Sequence, residues 1–168
     1  NTSAFSDLVD HYKDLVFTLA YKILKNREES EEASQDTFVK VFKSLAKFNG
    51  DSKFSTWIYK ITYNTCLDRL KKNKRDRSII YVEDYNEHQI EDIENIIEKI
   101  EIKKKNKIIK ECIQLLPSED AFLLTLFYFD DQSLKEIAEI IGSNPNNVKI
   151  KLYRSRKKLI SILNLNLK

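Results

Sequence analysis

The sequence predicts an all-α protein: two small helical domains joined by a flexible acidic linker, the second ending in a helix-turn-helix. Only two of the 168 residues are Gly and two are Pro, so tight hairpins are scarce and long helices are favoured. Apolar residues recur at three- and four-residue spacing along most of the chain. Charged residues occur in blocks although the net charge is only +3, and such blocks are typical of modular proteins.

An acidic block separates two basic ones. Residues 71–77 contain five basic side chains and one acidic, residues 83–98 contain seven acidic and no Lys or Arg, and from Pro145 to the end there are seven basic and none acidic. Periodicity is weak over residues 78–92, which we expect to be a linker of low order.

The linker sets the predicted domain boundaries at residues 1–77 and 93–168. The first domain is predicted to hold three helices, at about residues 5–25, 28–47 and 54–73, with FNGDSK (48–53) as a loop. The second helix should bury Phe38, Val41, Phe42 and Leu45. The second domain starts with helical spacing that stops at Pro117, carried by Ile93, Ile97, Ile100, Ile108, Cys112 and Leu115. Three further helices are predicted at 118–129, 134–141 and 145–163.

Several functional classes are excluded by what the sequence lacks. No apolar run approaches the roughly 20 residues that span a bilayer and no leader segment is visible, so we expect a cytoplasmic protein.

Cys66 and Cys112 are isolated in apolar helical patterns and should be buried reduced thiols, while His11 and His88 should lie on the surface. The chain contains no Met, so we expect native residues to precede Asn1.

Catalytic and metal-binding patterns are also missing. Asp130 and Asp131 are adjacent but lack a His or a further acid at metal-ligand spacing, and there is no Gly-rich phosphate loop or activated nucleophile. We therefore expect no enzyme activity, no cofactor, no metal and no small-molecule substrate.

Residues 133–145 carry the signals of two helices joined by a tight turn. Ser133 and Glu136 have the spacing of a capping box, and Gly142 stands where a helix closes with positive φ. Asn144 suits an N-cap and Pro145 the first helical position. This is the sequence form of a DNA-binding helix-turn-helix.

The predicted second helix of this motif has an inward and a basic face. Val148, Leu152, Ser155 and Leu159 fall on the inward face. Asn146, Asn147 and Lys149, in the first turn, are the base-reading candidates. The phosphate-binding candidates are Lys151, Arg154, Arg156, Lys157 and Lys158. A solvated cationic helix face is the alternative interpretation.

Residues 48–75 interleave aromatic and basic side chains, a combination used to bind single-stranded nucleic acid. The aromatic residues are Phe48, Phe54, Trp57, Tyr59 and Tyr63, and the cations include Lys53, Lys60 and Arg69. Core packing is the alternative, and it is the expected role of Phe54, Trp57, Ile58 and Ile61. Tyr59 and Tyr63 lie off that stripe, so they are expected to be exposed.

Three segments together resemble the extracytoplasmic-function group of bacterial RNA polymerase sigma factors. They are EEASQDTFVKVFKSL (31–45), FNGDSKFSTWIYKITYNTCLDRLKK (48–72), and LPSED followed by SLKEIAEIIGSNPNNVKIKLYRSRKKL (133–159). The resemblance covers nearly the whole chain in the family's order. It implies a factor that gives core RNA polymerase its promoter specificity and opens the DNA strands.

The resemblance also implies residue roles. Docking on the beta-prime clamp helices of core RNA polymerase would use Glu32, Gln35, Asp36 and Phe38. Capture of a flipped base of the minus-ten element would use Asn49, Gly50, Asp51, Ser52 and Lys53. Strand separation and backbone binding would use Asn64, Arg69, Lys71 and Lys72, beside Tyr59, Lys60 and Tyr63. The helix-turn-helix would read the minus-35 element as duplex DNA.

Further partners follow from the same resemblance. They are the polymerase beta flap, promoter DNA, and an anti-sigma factor that is often membrane-anchored. The acidic block 83–98 would either mimic nucleic-acid charge in the polymerase cleft or only aid solubility. Two other functions remain open on the sequence: a conventional helix-turn-helix regulator of duplex operators, and a helical adaptor that binds only proteins.

Overall fold

A computed structural model describes residues 2–73 and 102–166 of the chain. In these residues the regular structure consists of seven α-helices and one short 3-10 helix, which confirms the all-α prediction. Contacts between Cα atoms divide the chain into two compact units. The first contains the described residues up to Asn73 together with Ala138–Ser143, and the second contains the other described residues. The predicted linker at 78–92 and the acidic block lie outside the described residues.

The first unit is a bundle of three helices that meet at one small core. Val16, Val41 and Ile58, one from each helix, are fully buried, and half-buried residues such as Phe54 and Trp57 pack around them. The helices are α1 (Thr2–Leu24), α2 (Arg27–Ser44), a 3-10 turn (Leu45–Lys47) and α3 (Phe54–Lys72). Their number and order are as predicted.

A sharp corner joins α1 to α2. Lys25 adopts a left-handed φ of 53° after the end of α1, and Asn26 caps α2 by accepting a 3.0 Å hydrogen bond from the Glu29 backbone N–H. Glu28 and Glu29 then supply negative charge to the positive end of α2.

The inward face of α2 combines Val41, whose burial was predicted, with small residues whose burial was not. Its buried positions are Ser30, Ala33, Thr37 and Val41. The hydroxyl of Thr37 donates a 2.7 Å hydrogen bond to the Ala33 carbonyl within the helix. Its burial therefore leaves no hydrogen-bond donor unpaired. Of the predicted stripe, Val41 is fully buried and Phe38 and Leu45 are half-buried, but the prediction was wrong at Phe42, which is 62% exposed. Phe42 directly follows Val41 and so lies about 100° further round the helix.

The remaining helices are α4 (Ile102–Gln114), α5 (Ser118–Tyr128), α6 (Leu134–Ile141) and α7 (Pro145–Asn166). The second unit contains α4, α5, the start of α6 up to Ile137, and α7. Both α4 and α5 pack against α7. Pro117 separates α4 from α5 as expected, and residues 121–126 of α5 are all buried. Leu115 was expected on the buried face but is exposed, because α4 ends at Gln114 and the chain turns so that Leu116 points inward. Ile93, Ile97 and Ile100 lie outside the described residues.

The two cysteines are free and buried, as predicted. Burial raises the pKa of the Cys66 thiol to about 12. His11 is exposed, also as predicted, and His88 lies outside the described residues. Among the helices of residues 2–73 and 102–166, none is long and apolar enough to cross a membrane.

Candidate nucleic-acid interface

The start of α6 is fixed by a reciprocal capping box. The Ser133 hydroxyl accepts from the Glu136 backbone N–H at 3.2 Å, and the Glu136 carboxylate accepts from the Ser133 backbone N–H at 2.8 Å. Two helix-end donors are thus satisfied at once. The capping box predicted from the sequence is confirmed.

The turn between α6 and α7 is built by Gly142 and Asn144. Gly142 has a φ of 67°, a left-handed conformation that disfavours side chains, and Ser143 donates back to the Ala138 carbonyl at 2.9 Å. The side chain of Asn144 then accepts from the Asn147 backbone N–H at 2.9 Å, and α7 begins at Pro145. The sequence prediction holds at each of these positions.

The inward face of α7 is also as predicted. Val148, Leu152, Ser155 and Leu159 are all essentially inaccessible to solvent. Asn146 and Asn147, in the first turn, are exposed, while Lys149 is half-buried. The Asn side chains, which can bind adenine edges bidentately, are therefore accessible at the start of the helix.

Two of the basic side chains on α7 are paired with the first turn of α5. Lys151 Nζ lies 2.6 Å from Glu119 Oε1, and Lys158 Nζ lies 2.7 Å from Asp120 Oδ2. Asp120 also accepts a 2.6 Å hydrogen bond from the buried Ser155 hydroxyl. The two carboxylates thus bind one side of α7 along two helical turns.

Arg156 was predicted to bind phosphate, but the structure leaves little of it accessible. It is only 6% exposed, and its guanidinium lies 4.6 Å from the centroid of the Phe127 ring. A weakly hydrated guanidinium stacks well on an aromatic face, which explains why a charge is tolerated there. The other predicted phosphate-binding residues are more accessible: Arg154 is half-buried and Lys157 is exposed.

Glu119 and Asp120 are site residues that the sequence analysis missed. The available signal was their place in the first turn after Pro117, where carboxylates favour the positive end of a helix. That signal explains why acidic residues stand at the start of α5. It does not predict which basic side chains of α7 they pair with.

In the first unit, the predicted loop closes on itself. The Asn49 side-chain amide donates to the Asp51 carboxylate, and its oxygen accepts from the Asp51 backbone N–H at 3.3 Å. Gly50 between them has a left-handed φ of 81°. Of the loop residues, Asn49, Gly50, Asp51 and Lys53 are exposed and Ser52 is half-buried, so several donors and acceptors face solvent.

Three aromatic rings lie beside this loop. Phe48 is 5.1 Å from Phe54 and 5.2 Å from Trp57 between ring centroids, and Phe54 is 5.4 Å from Trp57. All three are half-buried. The predicted core packing of Phe54, Trp57, Ile58 and Ile61 is confirmed.

The expected exposure of Tyr59 and Tyr63 was wrong. They are only 3% and 6% exposed. Because α3 contacts both α1 and α2, it is buried over a broader arc than one amphipathic stripe. Further along this helix, Lys60 is half-buried while Asn64, Lys71 and Lys72 are exposed.

Arg69 bridges from α3 to two acids of α2. Its Nη1 lies 2.8 Å from Glu32 Oε2 and its Nη2 lies 2.6 Å from Asp36 Oδ2. The hydrogen bonds accepted by Asp36 and then Glu32 raise the pKa of the guanidinium further. The structure thus brings together a residue predicted to bind DNA and two predicted to bind polymerase. Gln35 on the same helix is exposed, and Phe38 is half-buried.

Family comparison accounts for both units. Residues 8–76 match the model of Sigma-70 region 2, and residues 106–159 match that of Sigma-70 region 4. The ECF RNA polymerase sigma factor SigW of Bacillus subtilis (strain 168) is 32% identical over 165 residues, covering 93% of this chain and 87% of the relative. The chain belongs to the ECF RNA polymerase sigma factors. It is a promoter-recognition sigma factor for RNA polymerase.

A second relative of this sigma factor is the RNA polymerase sigma factor SigV of the same strain, which is 31% identical and covers 89% of this chain and 84% of the relative. Two solved structures share the fold. CnrH in complex with the cytosolic domain of CnrY has a TM-score of 0.62 at 20% identity, covering 98% of this chain and 90% of that chain. The sigma factor RpoE in complex with the anti-sigma factor NepR from Bartonella quintana has a TM-score of 0.67 at 16% identity, covering 96% and 97%.

The region 2 match of the sigma factor includes the loop of residues 48–53 and the Arg69 bridge. Its region 4 match includes the capping box, the Gly142 turn and the first turn of α7.

Proposed function

We propose that the helix-turn-helix reads the minus-35 element of the promoter as duplex DNA. Asn146 and Asn147 meet base edges, with Lys149 beside them, and the accessible cations Arg154 and Lys157 contact phosphates. The observation that carries this proposal is the first turn of α7, which is exposed and held in register by the Asn144 cap and the Gly142 turn.

We further propose that the loop of Asn49, Gly50, Asp51, Ser52 and Lys53 captures a base flipped out of the minus-ten element. Its exposed amide and carboxylate can pair with the Watson–Crick edge of a base, and the neighbouring ring cluster offers an apolar wall. Asn64, Lys71 and Lys72, which are exposed on α3, are suited to the backbone of the opened strand. Because Tyr59 and Tyr63 are buried, we assign them to the support of α3.

The acidic outer face of α2 is proposed to dock on the beta-prime clamp helices of core RNA polymerase. Glu32, Gln35 and Asp36 are exposed on one side of α2, and Arg69 holds the two carboxylates in place. The second domain is proposed to meet the beta flap.

We also propose an anti-sigma factor, of either the membrane-anchored or the soluble kind, as a partner. The two solved structures of similar fold are complexes with CnrY and with the anti-sigma factor NepR. The proposed domain limits are 1–77 and 93–168, with 78–92 as the linker, and the protein is proposed to act in the cytoplasm without an enzymatic activity of its own.

Reconstituted transcription tests this function. Core RNA polymerase with the purified chain, on fragments of the source genome, should produce new start sites, and permanganate footprinting should show unpaired thymines near them. Asn146→Ala together with Asn147→Ala should abolish start-site selection while leaving polymerase binding intact. A chain that binds polymerase but leaves every template closed would contradict the proposal.

A further inference from the structure

We infer that Glu119 competes with DNA for Lys151 and so limits the affinity of the helix-turn-helix for the duplex. This inference rests on the proposed duplex binding by α7. Glu119 would act as a substitute for a phosphate. Its carboxylate pairs with the ammonium group of Lys151, which would otherwise be available to the DNA backbone.

The position of Lys151 places it beside the proposed base-reading residues. Lys151 lies one helical turn after Asn147 and two turns before Lys158, so the three side chains share one side of α7. A lysine one turn behind a base-reading residue is well placed to contact the flanking phosphate.

The pair is close but accessible. The two charged atoms are 2.6 Å apart, while the side chains are 34% and 39% exposed for Lys151 and Glu119. An exposed ion pair in water is weak and exchanges its partners. Phosphate can therefore replace Glu119, but each such contact requires the existing pair to open.

The neighbouring acid has a different role. The Asp120 side chain is only 13% exposed and accepts from both Ser155 and Lys158. Since Ser155 is buried in the packing of α7, Asp120 fixes α7 to α5. Glu119 instead pairs with the half-exposed Lys151, so its charge can be removed with little effect on packing.

The test measures binding of the full-length chain to a short labelled DNA duplex of arbitrary sequence, because phosphate contacts do not depend on sequence. Glu119→Gln keeps the shape and removes the charge. Glu111→Gln is the matched control: it removes the same charge from an exposed position on α4. Fluorescence anisotropy is recorded between about 50 and 200 mM salt.

One additional phosphate contact steepens the slope of log K against log salt by about 0.9 and corresponds to roughly eight-fold tighter binding near 0.1 M salt. We expect a change in this direction and up to this size for Glu119→Gln, and no such change for Glu111→Gln. In a Lys151→Gln background, Glu119→Gln should produce no gain beyond that of the control.

Each other outcome is decisive. Equal effects of Glu119→Gln and Glu111→Gln, or a gain that persists without Lys151, would show only a general effect of net charge and overturn the inference while duplex binding stands. If the original chain and Glu119→Gln both fail to bind any duplex although circular dichroism shows them folded, the proposed duplex binding is overturned, and the inference with it.

Discussion

Nη2 of Arg69 lies 2.6 Å from Oδ2 of Asp36, across the contact between α3 and α2. Glu32 accepts from the other terminal nitrogen of the same guanidinium. A single arginine therefore links the helix proposed to meet polymerase to the helix proposed to meet the opened strand. Since both of its terminal nitrogens are engaged by carboxylates, we propose that Arg69 holds α2 against α3 rather than contacting DNA.

Arg69→Gln should consequently affect stability more than DNA binding. We expect the free energy of unfolding to fall by about 1 kcal/mol, since both carboxylates are exposed enough to be resolvated. Urea denaturation measures this loss. In salt titrations with single-stranded DNA, Lys71→Gln should reduce the slope by about 0.7, whereas Arg69→Gln should leave it unchanged. A slope reduced for Arg69→Gln by as much as for Lys71→Gln would show that Arg69 binds DNA.

Arg156 leads to an analogous prediction in the second unit. Its stack on Phe127 is buried, so Arg156→Gln should lower the free energy of unfolding by about 1 to 2 kcal/mol. The exposed Lys157 is the control: Lys157→Gln should reduce the slope of duplex binding against salt by about 0.9, and Arg156→Gln should not. A stable Arg156→Gln variant with weakened duplex binding would contradict this assignment.

The cap of α7 should be worth a measurable amount of stability. Asn144→Ala removes the acceptor of the Asn147 N–H and should cost about 1 kcal/mol, whereas Asn144→Ser keeps an oxygen there and should cost little. Thermal unfolding followed by circular dichroism compares the three proteins. If Asn144→Ala unfolds at the original temperature, the cap contributes nothing to stability.

Burial of Cys66 predicts a specific pH dependence. The pKa of its thiol is raised from 9.0 to about 12, so the folded state favours the neutral form. The stabilisation that follows is complete below about pH 9 and is lost as the pH rises toward 12, because the unfolded chain ionises first. Titration with a thiol-reactive disulfide at pH 8 should find neither cysteine reactive in the native protein and both reactive in denaturant. A rapidly reacting native thiol would contradict the burial.

Local rules predicted the helix-turn-helix almost completely. The Ser133 and Glu136 capping box, the left-handed Gly142 and the Asn144 cap each depend on residues within a few positions along the chain, and each was found. The predicted loop around Gly50 was also found, and its hydrogen bonds likewise join residues two positions apart.

What the sequence did not predict depends on contacts between distant residues. The pairing of Lys151 with Glu119 joins residues 32 positions apart, and that of Arg69 with Asp36 joins residues 33 apart. The five phosphate-binding candidates named on α7 from the sequence would together give a slope of log K against log salt near −4 to −5. With Arg156 buried and two lysines already paired, we expect a shallower slope.

The small inward residues of α2 have a consequence for protein engineering. Ala33 is inaccessible to solvent, and an added methylene there would push the helix outward. Such a shift would carry the outer carboxylates away from α3 and change the shape of the surface offered to a binding protein. Efforts to redirect partner choice should therefore vary the outward positions of α2 and leave its alanine and hydroxyl residues as they are.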